Sequence, residues 1–400
     1  MTGVGKMEQE HKRSGLMWVD KHRSTNLAKL EVHKALNVRL LNLVRQGDVP
    51  HLFFYGPPGA GKRTRVMGVL HELFGASAEK LRVQHRVFKL GDPPKEVEMT
   101  LVMSNHHVEM NPSDVGIKDR LVVQEMIKEI ASSVPLDAFQ TTKKKEQNAA
   151  GPEPQGAAAA GANTSNNSAA HKPAFKVLVL HDVDRMSRLA QQALRRTMEK
   201  YARTCRIIML ATSASKVIEP LRSRCLGVRV PLPSDTELVQ VLRHVANKEG
   251  FIVTDSFGAK VVASSGRNMR RALLQLEASK SQNYPFSAEQ QVTKADWELA
   301  CASISDLMLV QQAPRTLLTV RQKLYDLLTH AIPADIIFHA IVANLLRQVD
   351  QELAPQLVAH AAMYEHRMQK GSKPILHLEA FCARFMQLYK AYLSAIMDLF

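Results

Sequence analysis

Apolar positions along this chain follow two different rhythms. Between about residues 50 and 230, short apolar runs at 52–55, 86–89, 101–103, 176–180 and 206–211 predict strands. Segments at 33–46, 64–74, 117–132 and 187–202 instead repeat their apolar residues at helical spacing. Apolar strands that alternate with helices predict a parallel sheet covered on both faces. Beyond Val230-Pro-Leu-Pro-Ser234 the strand signal ends. Residues 234–304 read as a small helical bundle and 305–400 as a second, wholly helical unit. There Leu317, Val320, Leu324 and Leu327 recur at helical spacing, and Pro333, Gly371 and Pro374 punctuate the later helices. The last helix is apolar nearly all round, with Leu378, Phe381, Phe385, Leu388, Tyr392, Ile396 and Leu399 on one stripe and others elsewhere. Such a helix is buried on several sides, in a core or against another subunit.

Two stretches break the pattern. Residues 1–15 read as a flexible basic tail. Residues 141–173 collapse to Ala, Gly, Asn, Ser and Pro, which cannot bury enough apolar area to order themselves, so a disordered insertion is expected there. Composition then narrows the function. A formal charge of +15 and a pI near 9.7 point to a polyanionic partner, most simply nucleic acid, against the plainer alternative of a basic soluble surface. Cys205, Cys225, Cys301 and Cys382 are scattered without a CxxC, which fits a reducing compartment. None of the 16 histidines forms an HExxH motif or a Cys/His cluster, so no metal centre is expected from them. No apolar run reaches membrane-spanning length, and residues 1–14 hold no hydrophobic stretch that could serve secretion. The expectation is a soluble, intracellular protein with no membrane partner.

The most specific chemistry lies at Gly56-Pro57-Pro58-Gly59-Ala60-Gly61-Lys62-Arg63-Thr64. An apolar strand leads into a glycine-rich turn and a lysine, and a helix follows. Backbone N–H groups at a helix N-terminus cradle phosphates in this arrangement. The next position ordinarily offers a hydroxyl to Mg²⁺; here it is Arg63, and Thr64 comes one residue late. The second half of such a site is an apolar strand ending in acids, found at Phe175-Lys-Val-Leu-Val-Leu-His-Asp-Val-Asp184. His181 stands where the magnesium carboxylate belongs, and nitrogen is a poor ligand for a hard cation. Asp182 takes the place of the water-activating acid. An alternative register puts Asp182 on the metal and Asp184 as the base. With two magnesium contacts absent, the site is expected to bind ATP or ADP, to hold Mg²⁺ weakly or not at all, and to hydrolyse poorly.

Together these residues resemble the AAA+ clamp loaders, and within them the small subunits of eukaryotic replication factor C. The resemblance runs from Trp18 to about Phe400, interrupted by the 141–173 insertion. Trp18-Val-Asp-Lys-His-Arg-Ser24 resembles the family's N-terminal box, usually WVDKYRP, although His22 and Ser24 depart from it. Leu194-Arg-Arg-Thr-Met-Glu-Lys-Tyr201, Ile218-Glu-Pro-Leu-Arg-Ser-Arg-Cys225 and Gly266-Arg-Asn-Met-Arg-Arg-Ala272 resemble the family's helix, its Ser-Arg-Cys box and its second sensor. Asn111-Pro-Ser-Asp114 and Tyr364-Glu-His-Arg…Gly-Ser-Lys373 resemble one small-subunit type in particular.

The resemblance implies an α/β AAA+ fold, a RecA-like parallel sheet with flanking helices over 16–233. A small helical lid would follow over 234–304 and an all-α C-terminal collar over 305–400. It implies nucleotide contacts from Val19, Arg23, the loop 56–64, Thr212 at the first sensor and Arg270 at the second. Arg224 would be an arginine finger for the neighbouring subunit's ATP. Lys118, Arg120, Arg185, Arg188 and Arg195, on two helices, would track DNA phosphates; a solvated charged face is the alternative. The implied setting is nuclear. The chain would sit in a heteropentamer with the other large and small replication factor C subunits, the ring-shaped clamp (proliferating cell nuclear antigen) and primer–template DNA. An active ATPase that uses Thr64 and Asp182, or a DNA-damage scaffold with a vestigial pocket, are the rival readings.

Overall fold

The computed structural model describes residues 15–397, apart from 48, 91–94, 133–174, 203 and 288–289. The expected tail, except Gly15, and the whole 141–173 insertion therefore lie outside the described residues. Two compact units divide the chain, at Val292/Thr293.

The first unit is built on a seven-stranded sheet: β1 (Leu52–Tyr55), β2 (Arg82–Leu90), β3 (Lys95–Met103), β4 (His107–Met110), β5 (Lys176–Leu180), β6 (Cys205–Ala211) and β7 (Leu226–Arg229). Their order is β2-β3-β4-β5-β6-β1-β7. The five strands from β4 to β7 in that order are parallel, whereas β2 pairs with β3, and β3 with β4, antiparallel. The expected parallel core with flanking helices is thus present, and an antiparallel hairpin extends it at one edge. The 82–103 segment doubles back as a hairpin, which needs no crossover helix. Most of β2 is exposed, Val83 and Val87 included, while Phe88 is buried, as an antiparallel edge tolerates.

The central strands read apolar throughout because each feeds two cores. Leu52, Phe54, Val177, Val179, Ile208 and Leu210 pack on one face against the helices Lys34–Arg45 and Lys62–Phe74. Phe53, Leu178, Leu180, Ile207 and Met209 pack on the other, against Asp119–Ser132 and Arg188–Lys200. The helices Asp235–Lys248, Asp255–Ser265 and Met269–Gln282 form a separate small core around Leu242, Phe257 and Leu276, which also takes in Trp18. Ser234 and Glu237 close the first of these helices with a reciprocal capping box.

The second unit is wholly helical, with five helices from Asp296–Val310 to Pro374–Met397 around Ile304, Leu324, Ile341 and Phe381. Its first helix crosses the expected 304/305 boundary. Cys301 and Ile304 are fully buried in the second core, and the two compact units part before Thr293.

Candidate functional site

Parallel strands deliver their carboxyl ends to one edge of a sheet, and ligands gather there. In register, Tyr55 lies opposite Ala211, Leu180 opposite Met209, and Glu109 opposite Val179. The loop after β1, the acids after β5, Thr212 after β6 and Glu109 near the end of β4 therefore meet at that edge.

The loop fits a phosphate chain. Gly56, Gly59 and Gly61 have φ of 148°, 75° and 84°, which side-chain-bearing residues resist. A Cβ on Gly56 would stand 2.1 Å from the Val230 carbonyl oxygen. The helix Lys62–Phe74 begins directly after Gly61, so its first amides face the turn. Pro57, Pro58 and Ala60 fill the bend, with Ala60 fully buried and Thr64 half-buried. Lys62 donates to the carbonyls of Gly56 at 2.5 Å and Pro57 at 3.0 Å. Burial pulls its pKa down, the charges of Asp182 and Asp184 pull it up, and Arg270 pulls it down again. An ammonium desolvated in this way gains from an incoming anion.

At the position where a magnesium ligand is expected, charged side chains bind one another. The Arg63 guanidinium donates to Glu109 Oε2 at 2.8 Å, and His181 Nε2 lies 3.0 Å from that same oxygen. The Glu109 side chain is only 2% exposed. Burial alone would raise its pKa, but His107, His181 and the Arg63 charge outweigh burial and hold it well below the usual carboxylate range. His107 Nε2 approaches Glu109 Oε1 at 3.8 Å, an ion-pair distance and not a hydrogen bond. Asp182 sits in the left-handed region (φ 48°). Thr212 donates to Asp184 Oδ2, while Asp184 Oδ1 is buried without a hydrogen-bond partner among the described residues. No three His, Cys, Asp or Glu side chains converge as metal ligands among the described residues.

Two participants were not foreseen. Glu109 was hidden because a buried acid on a four-residue strand gives no apolar signal. Arg65 is 1% exposed and ties the loop from behind. Its guanidinium donates to Ala60 O (3.0 Å) and Gly61 O (3.3 Å), and also to Val32 O (3.0 Å) and Asn37 Oδ1 (3.2 Å). Burial lowers its pKa to about 10, with Glu237 opposing. Its place on the stripe with Val66, Val69 and Leu70 was the available clue.

The lid and the N-terminal box close on the loop. The Trp18 ring stacks on Phe251, with centroids 5.2 Å apart, and Lys280 lies 5.1 Å over it. Trp18 N–H donates to Glu277, and Val19 packs on the lid core. Lys21 and His22 both reach Glu249. Arg23 follows; burial lowers its pKa, and the charges of Arg63 and Arg270 lower it further. Arg270 stands in the first turn of Met269–Gln282 and is exposed. Asn268 caps that helix and presses on the loop, since a Cβ on Gly59 would fall 1.8 Å from its Oδ1. The Arg63 and Arg270 charges thus reach Arg23, and the Arg270 charge reaches Lys62, so four cations gather beside the loop.

Arg224 lies apart from this cluster, just past the turn Glu219–Arg222. It donates to Glu199 Oε1 (2.5 Å) and Pro220 O (2.8 Å). Its hydrogen bond holds the Glu199 carboxyl below the ordinary range. Arg120, Arg185, Arg188 and Arg195 are all exposed, and Arg195 also pairs with Glu199 at 3.6 Å. Ala190, Leu194 and Met198 bury the opposite face of that helix. The Lys118 side chain is outside the described residues. No helix among the described residues is long and apolar enough to cross a membrane.

Comparison with known proteins bears on these features. Residues 297–393 match the family described as replication factor C subunit 3, C-terminal domain, and residues 240–281 match the RCF1/5-like AAA+ ATPase lid domain. Replication factor C subunit 3 of Mus musculus is 44% identical over 378 residues, covering 94% of this chain and 97% of the relative. Replication factor C subunit 3 of Arabidopsis thaliana is 43% identical over 380 residues, covering 94% and 99%. The solved Thermotoga maritima RuvB Holliday junction branch migration motor aligns at 15% identity over 65% of each chain, with a TM-score of 0.40, too loose to bear on the argument. Sheet, lid and helical unit together with near-complete alignment to these relatives show that the chain belongs to the replication factor C subunit 3 family of AAA+ proteins.

Proposed function

We propose that this chain is a small subunit of a heteropentameric, nuclear clamp loader that holds ATP or ADP with little or no hydrolysis of its own. It lends Arg224 to the nucleotide of an adjoining subunit and helps to grip primer–template DNA and the ring-shaped clamp, proliferating cell nuclear antigen. Its 234–292 helices would act as lid, and the helical unit from 293 as collar, joining the other large and small replication factor C subunits. The observation that carries this reading is the convergence of Arg63 and His181 on Glu109, which supports weak or absent Mg²⁺ at the pocket. Magnesium-assisted phosphoryl transfer needs oxygen ligands at that place. Binding itself is supported by the strained glycine loop, the desolvated Lys62 and the surrounding arginines.

Arg224 is a fitting donor in trans because it stands clear of this chain's own loop, with its guanidinium oriented by Pro220 O and Glu199 through Nε and one Nη and the remaining Nη free of these two contacts. An arginine supplied to a transferring phosphoryl group is worth about 10³–10⁵ in rate. In the assembled complex, Arg224→Ala should slow ATP turnover strongly, whereas Lys62→Ala should have the smaller effect. The isolated chain should turn over negligibly with clamp and DNA. Equal or reversed effects of the two variants, or brisk turnover by the chain alone, would favour an active ATPase with Thr64 and Asp182. Purification free of any nucleotide would favour a scaffold with a vestigial pocket.

A further inference from the structure

The magnesium position contains more than missing ligands. Glu109 is buried on β4, and a buried carboxylate persists as an anion only where cations face it. Arg63 supplies that cation from the first turn of the loop helix, beside Lys62, and places it on Glu109 Oε2. His181, just past the end of β5, donates to the same oxygen through Nε2. The Arg63 guanidinium carries five N–H donors in a fixed fork, and its side chain remains 44% exposed, so donors are left over on the solvent side. Arg23, Lys62 and Arg270 are within electrostatic reach of Arg63 or of one another: beyond burial, the Arg63 and Arg270 charges lower the pKa of Arg23, and the Arg270 charge lowers that of Lys62.

We infer that the Arg63 guanidinium, pinned from behind by Glu109, stands in for the divalent cation, so that this pocket takes a nucleoside diphosphate or triphosphate free of metal. The inference rests on the reading that the pocket binds nucleotide. The chemistry is consistent on both sides of the contact. A metal-free polyphosphate has the higher negative charge and the more open oxygens, which suit four protein cations and planar arginine forks. A magnesium nucleotide would bring a dication against Arg63 and His181. The Glu109 oxygen that faces them, Oε2, is already engaged by both. Magnesium should therefore compete for the phosphates in solution instead of bridging them to the protein.

Equilibrium binding of ADP and of ATP to the full chain in its assembled complex, in excess EDTA and in excess Mg²⁺, tests this. The other subunits' sites should carry nucleotide-blocking lysine substitutions for this measurement. Wild type should bind as tightly in EDTA as in Mg²⁺, or more tightly. Arg63→Thr should lose about tenfold or more in EDTA and recover part of that with Mg²⁺, while Arg63→Lys keeps most of the affinity. Because Arg63→Thr strands the Glu109 charge, the double variant Arg63→Thr/Glu109→Gln repeats the measurement without a buried unpaired anion, and thermal unfolding checks both. Lys62→Ala should lose binding in either medium. If wild type needs Mg²⁺ for tight binding, or if both Arg63→Thr variants bind in EDTA as wild type does, metal substitution is wrong while the nucleotide pocket stands. If wild type binds nothing in either medium, the pocket reading fails and the inference falls with it.

Discussion

Trp18→Ala tests how the N-terminal box is fastened to the lid. The Trp18 residue is 8% exposed, and its ring stacks on Phe251 at an interplanar angle of 25° with Lys280 over its face. Rings of this size bury about 200 Å², which at about 25 cal/mol per Å² amounts to about 5 kcal/mol. Alanine keeps part of that, and the gap collapses partly, so a loss of about 4 kcal/mol is expected, inside the usual range for such truncations. The sequence has two tryptophans, 18 and 297. In the variant the remaining one lies in the second unit, packed against its core. Denaturant unfolding followed by circular dichroism should shift to lower denaturant, while the Trp297 fluorescence transition stays in place. Nucleotide affinity should fall by about tenfold as Val19 and Arg23 lose their footing. A stability loss under about 1 kcal/mol, or an unchanged affinity, would refute the idea that this stack positions the box.

Three further outcomes are expected. Gly56→Ala should abolish nucleotide binding and destabilise by about 2 kcal/mol or more, because the new carbon meets backbone at Val230 and the φ of 148° disfavours it; binding and melting both report this. Glu109 titrates below its ordinary 4.5, so its stabilisation is complete above that pH and drains away as pH falls beneath it. Wild type should therefore lose stability more steeply than Glu109→Gln from about pH 4.5 downward, and parallel acid limbs would contradict the buried anion. If Arg188 contacts a DNA phosphate in the complex, Arg188→Ala should lower the slope of log affinity against log salt by about one, without changing sequence preference; an unchanged slope would mark a solvated face.

The alternation of strand and helix was plain in the sequence because both faces of β1, β5 and β6 are buried, and such strands are apolar from end to end. The phosphate loop was plain because its geometry restricts the residue types to glycine and lysine. What the sequence concealed were elements whose residues break the apolar rule. β4 carries His107 and Glu109 at buried positions, and β7 is a short edge strand with Val228 its one buried residue. The antiparallel hairpin was hidden because adjacent strand signals do not reveal direction. Arg63 and His181 were legible as departures, but their common partner was not, since it lies 46 residues from one and 72 from the other. The role of Asn268 depends on a lid helix packing back over the loop, which spacing cannot show.

Arg65 adds a polar tie between two stretches of chain that otherwise meet through apolar packing. One guanidinium spans Val32 and Asn37 on one side and Ala60 and Gly61 on the other. A tug on the amino-terminal strap would thus be felt at once by the turn that grips phosphate, and a ligand settling into the turn would tighten the strap in return. Lysine at this place would keep the charge yet break the linkage, because a single ammonium cannot span four acceptors set so far apart.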